Sequence, residues 1–323
     1  MAAGLIQLIA IGNNNDSFAV NYSLTPYNLL SNSDNPLNII RNYDSISING
    51  FVIKSSDINN IKNFQILFGN NIVYSMPMNL LLMTSHIIYD NNNFHIIFDK
   101  KLFFNDHPEI IMIALQYMQL SVVLKTRKNI SIDYDLMLLG KQYQTEQRRS
   151  YAQNKISNEL YQYETFKIKT NEQTSIDSNC IATNIFVETR DPITNFRLSI
   201  NGLNLYDYST NMIIFKQCLI SKRKIWTKKH SLTLKFILGK YIPVDIINEI
   251  ESYCVVNDIF MYCFPISSES WRNSDRNSTI NFSRIHDIKI FIGSGNNKKC
   301  KVHIQNYNIL HYVNGMANIE YNM

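Results

Sequence analysis

Charge is scarce in this chain. Asp, Glu, Lys and Arg make up 18% of its 323 residues, against an apolar fraction of 45%, where soluble domains carry charge on about a quarter of positions. The balance is mildly basic, +5 with a pI near 8.8. A nucleic-acid binder gathers basic charge on one face or arm. The densest basic group here, Lys222-Arg223-Lys224 with Lys228 and Lys229 around Trp226, reads as a solvated strand or loop, so no specific nucleic-acid partner is expected. The five cysteines, at 180, 218, 254, 263 and 300, form no CxxC pair. That suits reduced thiols in a cytosolic setting and excludes a disulfide framework or zinc knuckle. Long apolar runs are missing too. Ile110–Leu124 is interrupted by Gln116 and Gln119 and falls short of the roughly 18–20 residues a membrane helix needs. The start, MAAGLIQLIAIGNNN, lacks a basic region ahead of its apolar one. These absences predict a soluble, cytoplasmically made protein with no transmembrane segment.

Two residue types fill the space. The chain holds 42 asparagines and 47 isoleucines, over a quarter of its length. Both have AT-rich codons, so genome bias accounts for much of the excess. Apolar residues running from end to end exclude a disordered chain, and Ala, Glu, Lys and Leu do not dominate as they would in a coiled coil. Ile, Tyr and Phe favour strands, and Asn favours turns.

The placement of these residues confirms a β pattern. Phe64, Ile66 and Phe68 alternate with polar neighbours, as do Phe196, Leu198 and Ile200, then Leu232, Leu234, Phe236 and Leu238, then Ile288, Ile290 and Ile292. Cys300, Val302 and Ile304 point one way, while Lys301, His303 and Gln305 point the other. Period-two alternation predicts antiparallel strands with one buried and one wet face. Turn signals stand at Asn49-Gly50, Gly69-Asn70-Asn71, Asn201-Gly202 and Gly293-Ser294-Gly295-Asn296. Helix is expected only over about 243–254 and, briefly, over Leu5–Ile11. Within this pattern one segment recurs. NFQILFGNNIVYS (63–75) aligns without gaps to NFRLSINGLNLYD (195–207). The recurrence predicts two similar β domains in tandem, each the size of an eight-stranded sandwich, with the polar stretch after Thr170 as linker.

Candidate chemistry is thin. No HExxH helix, P-loop or G-x-S-x-G elbow occurs, which removes support for zincin, P-loop NTPase and α/β-hydrolase chemistry. Gly293-Ser294-Gly295 with Lys298 and Lys299 resembles a phosphate cradle, but it lies between alternating strands and reads as a hairpin loop. Asp133 and Asp135 share a strand face and could act as paired carboxylates on a sugar, which keeps a carbohydrate-binding β-sandwich as a remote alternative; a solvated edge is the plainer reading. His86 and His95 lack a third ligand. No catalytic, cofactor or metal residue is assigned, and no enzyme is predicted.

The tail adds a resemblance. NFSRIHDIKIFI (281–292) and QNYNILHYVNGMANIEYN (305–322) resemble the end of the major capsid proteins of nucleocytoplasmic large DNA viruses. Asn281, Phe282, Ser283, Arg284, Ile285 and Asp287 match an NFSRID motif with His286 inserted. Tyr307, Asn308, Leu310, Gly315, Met316, Ala317, Tyr321 and Asn322 match the terminal strand. In order along the chain, Gly4–Leu8 looks like the family's GGLIQL start, Ile113–Tyr117 like its IALQY strand and Phe260–Phe264 like its YVYSFAL strand.

The resemblance implies an all-β double jelly roll of two tandem eight-stranded antiparallel sandwiches: an arm over 1–20, a first jelly roll over 21–170, a linker over 171–180 and a second jelly roll over 181–323. It implies a structural capsid protein forming homotrimeric pseudo-hexagonal capsomers that pack against neighbouring capsomers in an icosahedral virion. Assembly would take place in host cytoplasm, with minor capsid or inner-membrane proteins meeting the N-terminal arm. Compared with the family, the loops are short and the entry to the second jelly roll is altered. A minor capsid paralogue or an assembly scaffold of the same fold are therefore the alternatives.

Overall fold

A computed structural model describes residues 19–27, 37–38, 43–54, 56–90, 93–98, 103, 109–126, 132–143, 145–210, 213, 260–266, 279–296 and 298–320. The helices expected over Leu5–Ile11 and 243–254, the strand around Leu234, and the basic group around Trp226 lie outside the described residues. The chain divides into two compact units, Met1–Tyr161 with Asn308–Asn322, and Gln162–Tyr307.

Unit 1 begins with β1 (Ala19–Tyr27), β2 (Leu37–Asn38), β3 (Ser45–Lys54), β4 (Ile61–Phe68) and β5 (Asn71–Pro77). Helix α1 (Met78–Thr84) leads to β6 (His86–Asp90), β7 (Asn93–Ile97), β8 (Ile110–Ile111), β9 (Leu120–Thr126) and β10 (Tyr134–Gln142), and α2 (Thr145–Gln153) follows. One sheet has the order β1-β10-β3-β7-β6, with β8 also on β3; the other is β2-β9-β4-β5. The first strand thus pairs with the last long one and the second with the last but one. That nesting is the connectivity of a jelly roll, which hides most of its edges.

Unit 2 repeats it. Its strands are β11 (Ile156–Lys169), β12 (Gln173–Ser175), β13 (Ile181–Thr189), β14 (Ile193–Ile200), β15 (Leu203–Ser209), β16 (Phe260–Pro265), β17 (Ile280–Asn281), β18 (Ile288–Ser294) and β19 (Lys299–Val313). The sheets run β11-β19-β13-β16, with β17 on β13, and β12-β18-β14-β15. β20 (Met316–Ile319) pairs with the end of β19 within unit 1, and β11 and β19 supply residues to both units. The fold is a double jelly roll, as expected. β12 lies inside the polar stretch 171–180.

The internal repeat extends to single cross-strand pairs. Phe64 faces Met76 and Ile66 faces Tyr74, then the register shifts and Leu67 faces Ile72. Phe196 faces Tyr208 and Leu198 faces Tyr206, then the register shifts and Ser199 faces Asn204. On their other sides, β4 shifts against β9 between Ile61 and Asn63, and β14 shifts against β18 between Ile193 and Asn195. Two hairpins with bulges at matching positions are the same device built twice.

Each core follows from the alternation. Phe64, Ile66 and Phe68 are buried, as are Phe196, Leu198, Ile288, Ile290 and Ile292. Phe64 meets Phe98 at 5.2 Å, and its counterpart Phe196 stacks on Phe264 at 3.7 Å, each pair spanning the gap between two sheets. Burying one such ring stabilises by roughly 1.5–3 kcal/mol.

Four expectations are corrected. Asn49-Gly50 is not a turn but lies within β3, where the register against β10 shifts and leaves Asn49 bulged. Ile113–Tyr117 is not a strand: Met112–Ala114 form a 3-10 turn that buries Met112 and Ala114, because the short β8 ends at Ile111. The NFSRID motif, which by the resemblance opens a strand, is at Phe282–Arg284 likewise a 3-10 turn, whose Asn281 side chain accepts from the Ser283 N–H. Finally, of the three polar residues expected on a wet face, only Lys301 reaches water; His303 is 0% exposed and Gln305 is buried, so β19 is covered on both faces there.

Candidate functional site

The two aspartates singled out by sequence remain apart from other chemistry. Asp133 is exposed and lies 3.8 Å from the Lys54 ammonium, across the β10–β3 ladder. Asp135, half-buried on the same face, stands opposite Val52. A 3.8 Å exposed ion pair contributes at most about 1 kcal/mol. His86 and His95 lie on the paired strands β6 and β7, opposite Ile97 and Ile88 respectively. Among the described residues no group of three metal-ligating side chains occurs.

The glycine-rich segment after β18 joins strands in different sheets, so it is an arch across unit 2 and not a hairpin. Its polar groups are taken by the chain itself. Asn171, at φ 62°, accepts from the Ser294 N–H at 2.9 Å and donates its amide to the Ser294 carbonyl at 2.9 Å. The Thr170 hydroxyl takes the Lys298 N–H at 2.9 Å, and the Lys298 ammonium sits 2.9 Å from Asp191. A phosphate cradle needs free N–H groups, and these two are occupied. Replacing Asn171 by Ala removes both side-chain bonds and leaves a β-carbon residue at positive φ. The expected loss is about 2 kcal/mol, read as faster amide exchange at Ser294.

Three polar clusters were not anticipated. In unit 2, Glu188 on β13 is 7% exposed and accepts from Lys301 at 2.7 Å and from the Nε2 side of His303 at 3.1 Å. His303 Nδ1 lies 2.9 Å from the Thr165 hydroxyl. Burial acts to raise the Glu188 carboxyl, but the His303 and Lys301 bonds outweigh it and hold it at about 2. A carboxylate so held is neither acid nor base at neutral pH. It is an anchor joining β13 to β19.

In unit 1, Glu109 accepts from the Ser45 hydroxyl at 3.0 Å, from the Tyr143 hydroxyl at 3.1 Å and from the Lys141 ammonium. Burial drives the Tyr143 phenol well above its ordinary value, and Glu109 adds to that, so the phenol stays a donor. Asp44 holds the Tyr143 N–H at 2.9 Å and Arg148 at 3.1 Å, which ties α2 down. The third cluster also belongs to unit 1. His311 bonds the Ser157 hydroxyl at 2.7 Å and the Glu320 carboxylate at 3.2 Å. It repeats the hydroxyl–imidazole–carboxylate order of Thr165, His303 and Glu188, with hydroxyl and imidazole on the same two strands and the carboxylate from a different element each time. Its sequence signal is the matching steps from Ser157 to Thr165 on β11 and from His303 to His311 on β19. A side chain repeated at this step along a ladder is strand-tying architecture.

Cys180, Cys263 and Cys300, the cysteines among the described residues, are buried and in no disulfide. Burial pushes Cys180 up to about 12 and Cys300 up to about 11, so neither is a nucleophile near pH 7.

No family model matches the chain, and no curated protein matches it by sequence. Solved structures match by fold. The quasi-atomic capsid of the virus PBCV-1 superposes with a TM-score of 0.65 at 12% identity, over 94% of this chain and 97% of that one. The crystal structure of PBCV-1 VP54, fitted into a reconstruction of the virophage Sputnik, gives the same figures. The major capsid protein of Sulfolobus turreted icosahedral virus follows, with a TM-score of 0.50 at 10% identity, over 89% of this chain and 95% of that one. The double jelly roll described above is thus the fold of viral major capsid proteins.

Proposed function

We propose that this chain is a structural capsid protein, not an enzyme, that assembles as homotrimeric pseudo-hexagonal capsomers in the shell of an icosahedral large DNA virus. The observation that supports this most is the jelly-roll nesting, present twice, together with a fold likeness to the PBCV-1 capsid over 94% of the chain. The physics agrees. The buried carboxylates and imidazoles are spent on tying strands together, and the low charge suits sides that meet other copies. In a trimer the contacts are heterologous and close on themselves. The N-terminal arm, residues 1–20, would meet a minor capsid or inner-membrane protein; most of it lies outside the described residues.

Light scattering of the purified chain tests the reading. The expected mass is near 113 kDa, three times the chain's 37.7 kDa, with pseudo-hexagonal plates visible by electron microscopy. A monomer at micromolar concentration removes the capsomer claim. Mass spectrometry of mature virions separates a shell component from a scaffold: a scaffold is absent from them.

A further inference from the structure

We propose that one end of unit 1, built from three turns, is a contact surface for a second copy of this chain. The inference rests on the capsomer reading and names a surface for it. The turns are Gly69-Asn70 between β4 and β5, the segment 115–119 before β9, and Asn314-Gly315 between β19 and β20. Backbone bonds join them: the Gly69 N–H donates to the Gln119 carbonyl at 2.7 Å, and the Tyr117 N–H donates to the Gly315 carbonyl at 3.0 Å.

On this frame stand Ile72, Tyr117, Val313 and Met316, four of the seven large apolar side chains that are exposed among the described residues. Tyr117 is 77% exposed, yet its ring is held in place. A β-carbon added at Gly315 would come within 2.7 Å of the ring's Cδ2, so the turn has a glycine where the ring lies against it. An aromatic side chain that is exposed but already positioned loses little freedom on binding, which is the mark of a binding anchor.

The occupant follows from charge. Residues 69–72, 115–120 and 312–318 contain no Asp, Glu, Lys or Arg. Tyr and Met at the centre with charge absent is the composition of a protein–protein interface core. An anionic membrane surface would call for Lys or Arg around the apolar group. A foreign partner of this +5 chain would gain from acidic complementarity. Another copy carries the same net charge, and so it is best met where neither surface has any.

The test uses the full chain in sedimentation over a concentration series, with Tyr117→Lys/Met316→Lys and, separately, Ile72→Lys on the neighbouring turn. All three positions are exposed, so melting temperatures should match the wild type. Each variant should weaken copy-to-copy association at least about tenfold. Wild-type association in both variants overturns this inference and leaves the capsomer reading standing. A wild-type chain that never associates overturns the capsomer reading itself. Unchanged association combined with loss of co-sedimentation with neutral phosphatidylcholine vesicles assigns the patch to lipid and overturns the proposal.

Discussion

Replacing Gly50 by Ala is expected to cost about 4 kcal/mol and to leave unit 1 largely unfolded at 37 °C. Gly50 lies in β3, flanked on one side by β10 and on the other by β7, where it faces Ile97. An added β-carbon would stand 2.1 Å from the Ile96 carbonyl oxygen and 3.1 Å from the Ile96 carbonyl carbon. These are backbone atoms of a paired strand, so no side chain can swing aside to relieve the clash. The φ of 155° adds strain for any residue with a β-carbon. The bulge at Asn49 cannot move away either, because the Asn49 carbonyl accepts from the Phe98 N–H at 2.7 Å. Circular dichroism melts check the effect. A melting temperature within a few degrees of wild type would show that the β3–β7 ladder can open without loss.

Glu188→Ala is expected to cost about 3 kcal/mol, a fall of roughly 6–12 °C in melting temperature. The loss comes from what stays behind. Lys301 is partly exposed and regains water, but His303 is 0% exposed and its Nε2 loses a partner inside the protein. The same carboxylate sets a pH dependence. Its folded value, about 2, lies below the ordinary carboxyl value of 4.5, so the native state holds the ionised form. That stability is present in full above about pH 4.5 and is lost as pH falls toward 2. The wild type and the Ala variant should therefore differ most near neutrality and converge at pH 2. Urea unfolding at pH 7, 4 and 2 measures this, and a gap that stays constant across the three would refute the anchor role.

Much of this fold is legible in the sequence. Alternation located β4, β14 and β18 and picked their buried faces, because a strand with one wet face writes its environment at every second residue. The recurrence of 63–75 at 195–207 marked the doubled hairpin. What alternation could not show is a strand covered twice. On β19 the residues His303 and Gln305 look wet because they are polar, and they are buried because Glu188, Thr165 and Tyr163 satisfy them. That information is spread over β11, β13 and β19, far apart in the chain. Asn49-Gly50 misled for a related reason: the same dipeptide serves a turn and a bulge, and only the partner strand decides between them. The three-turn end of unit 1 was invisible too, since Tyr117 and Met316 are close only after folding.

The membership of residues 308–322 in unit 1 bears on synthesis. Chains emerging from a ribosome fold N-terminal domain first, at about 5–20 residues per second. Here the first unit to emerge stays unfinished until the last stretch of β19 and all of β20 have been made, after the whole of unit 2. Unit 2 can therefore close before unit 1 does. A nascent chain halted anywhere before residue 308 lacks the turn against which Tyr117 rests, so incomplete products would be barred from any contact made through that end.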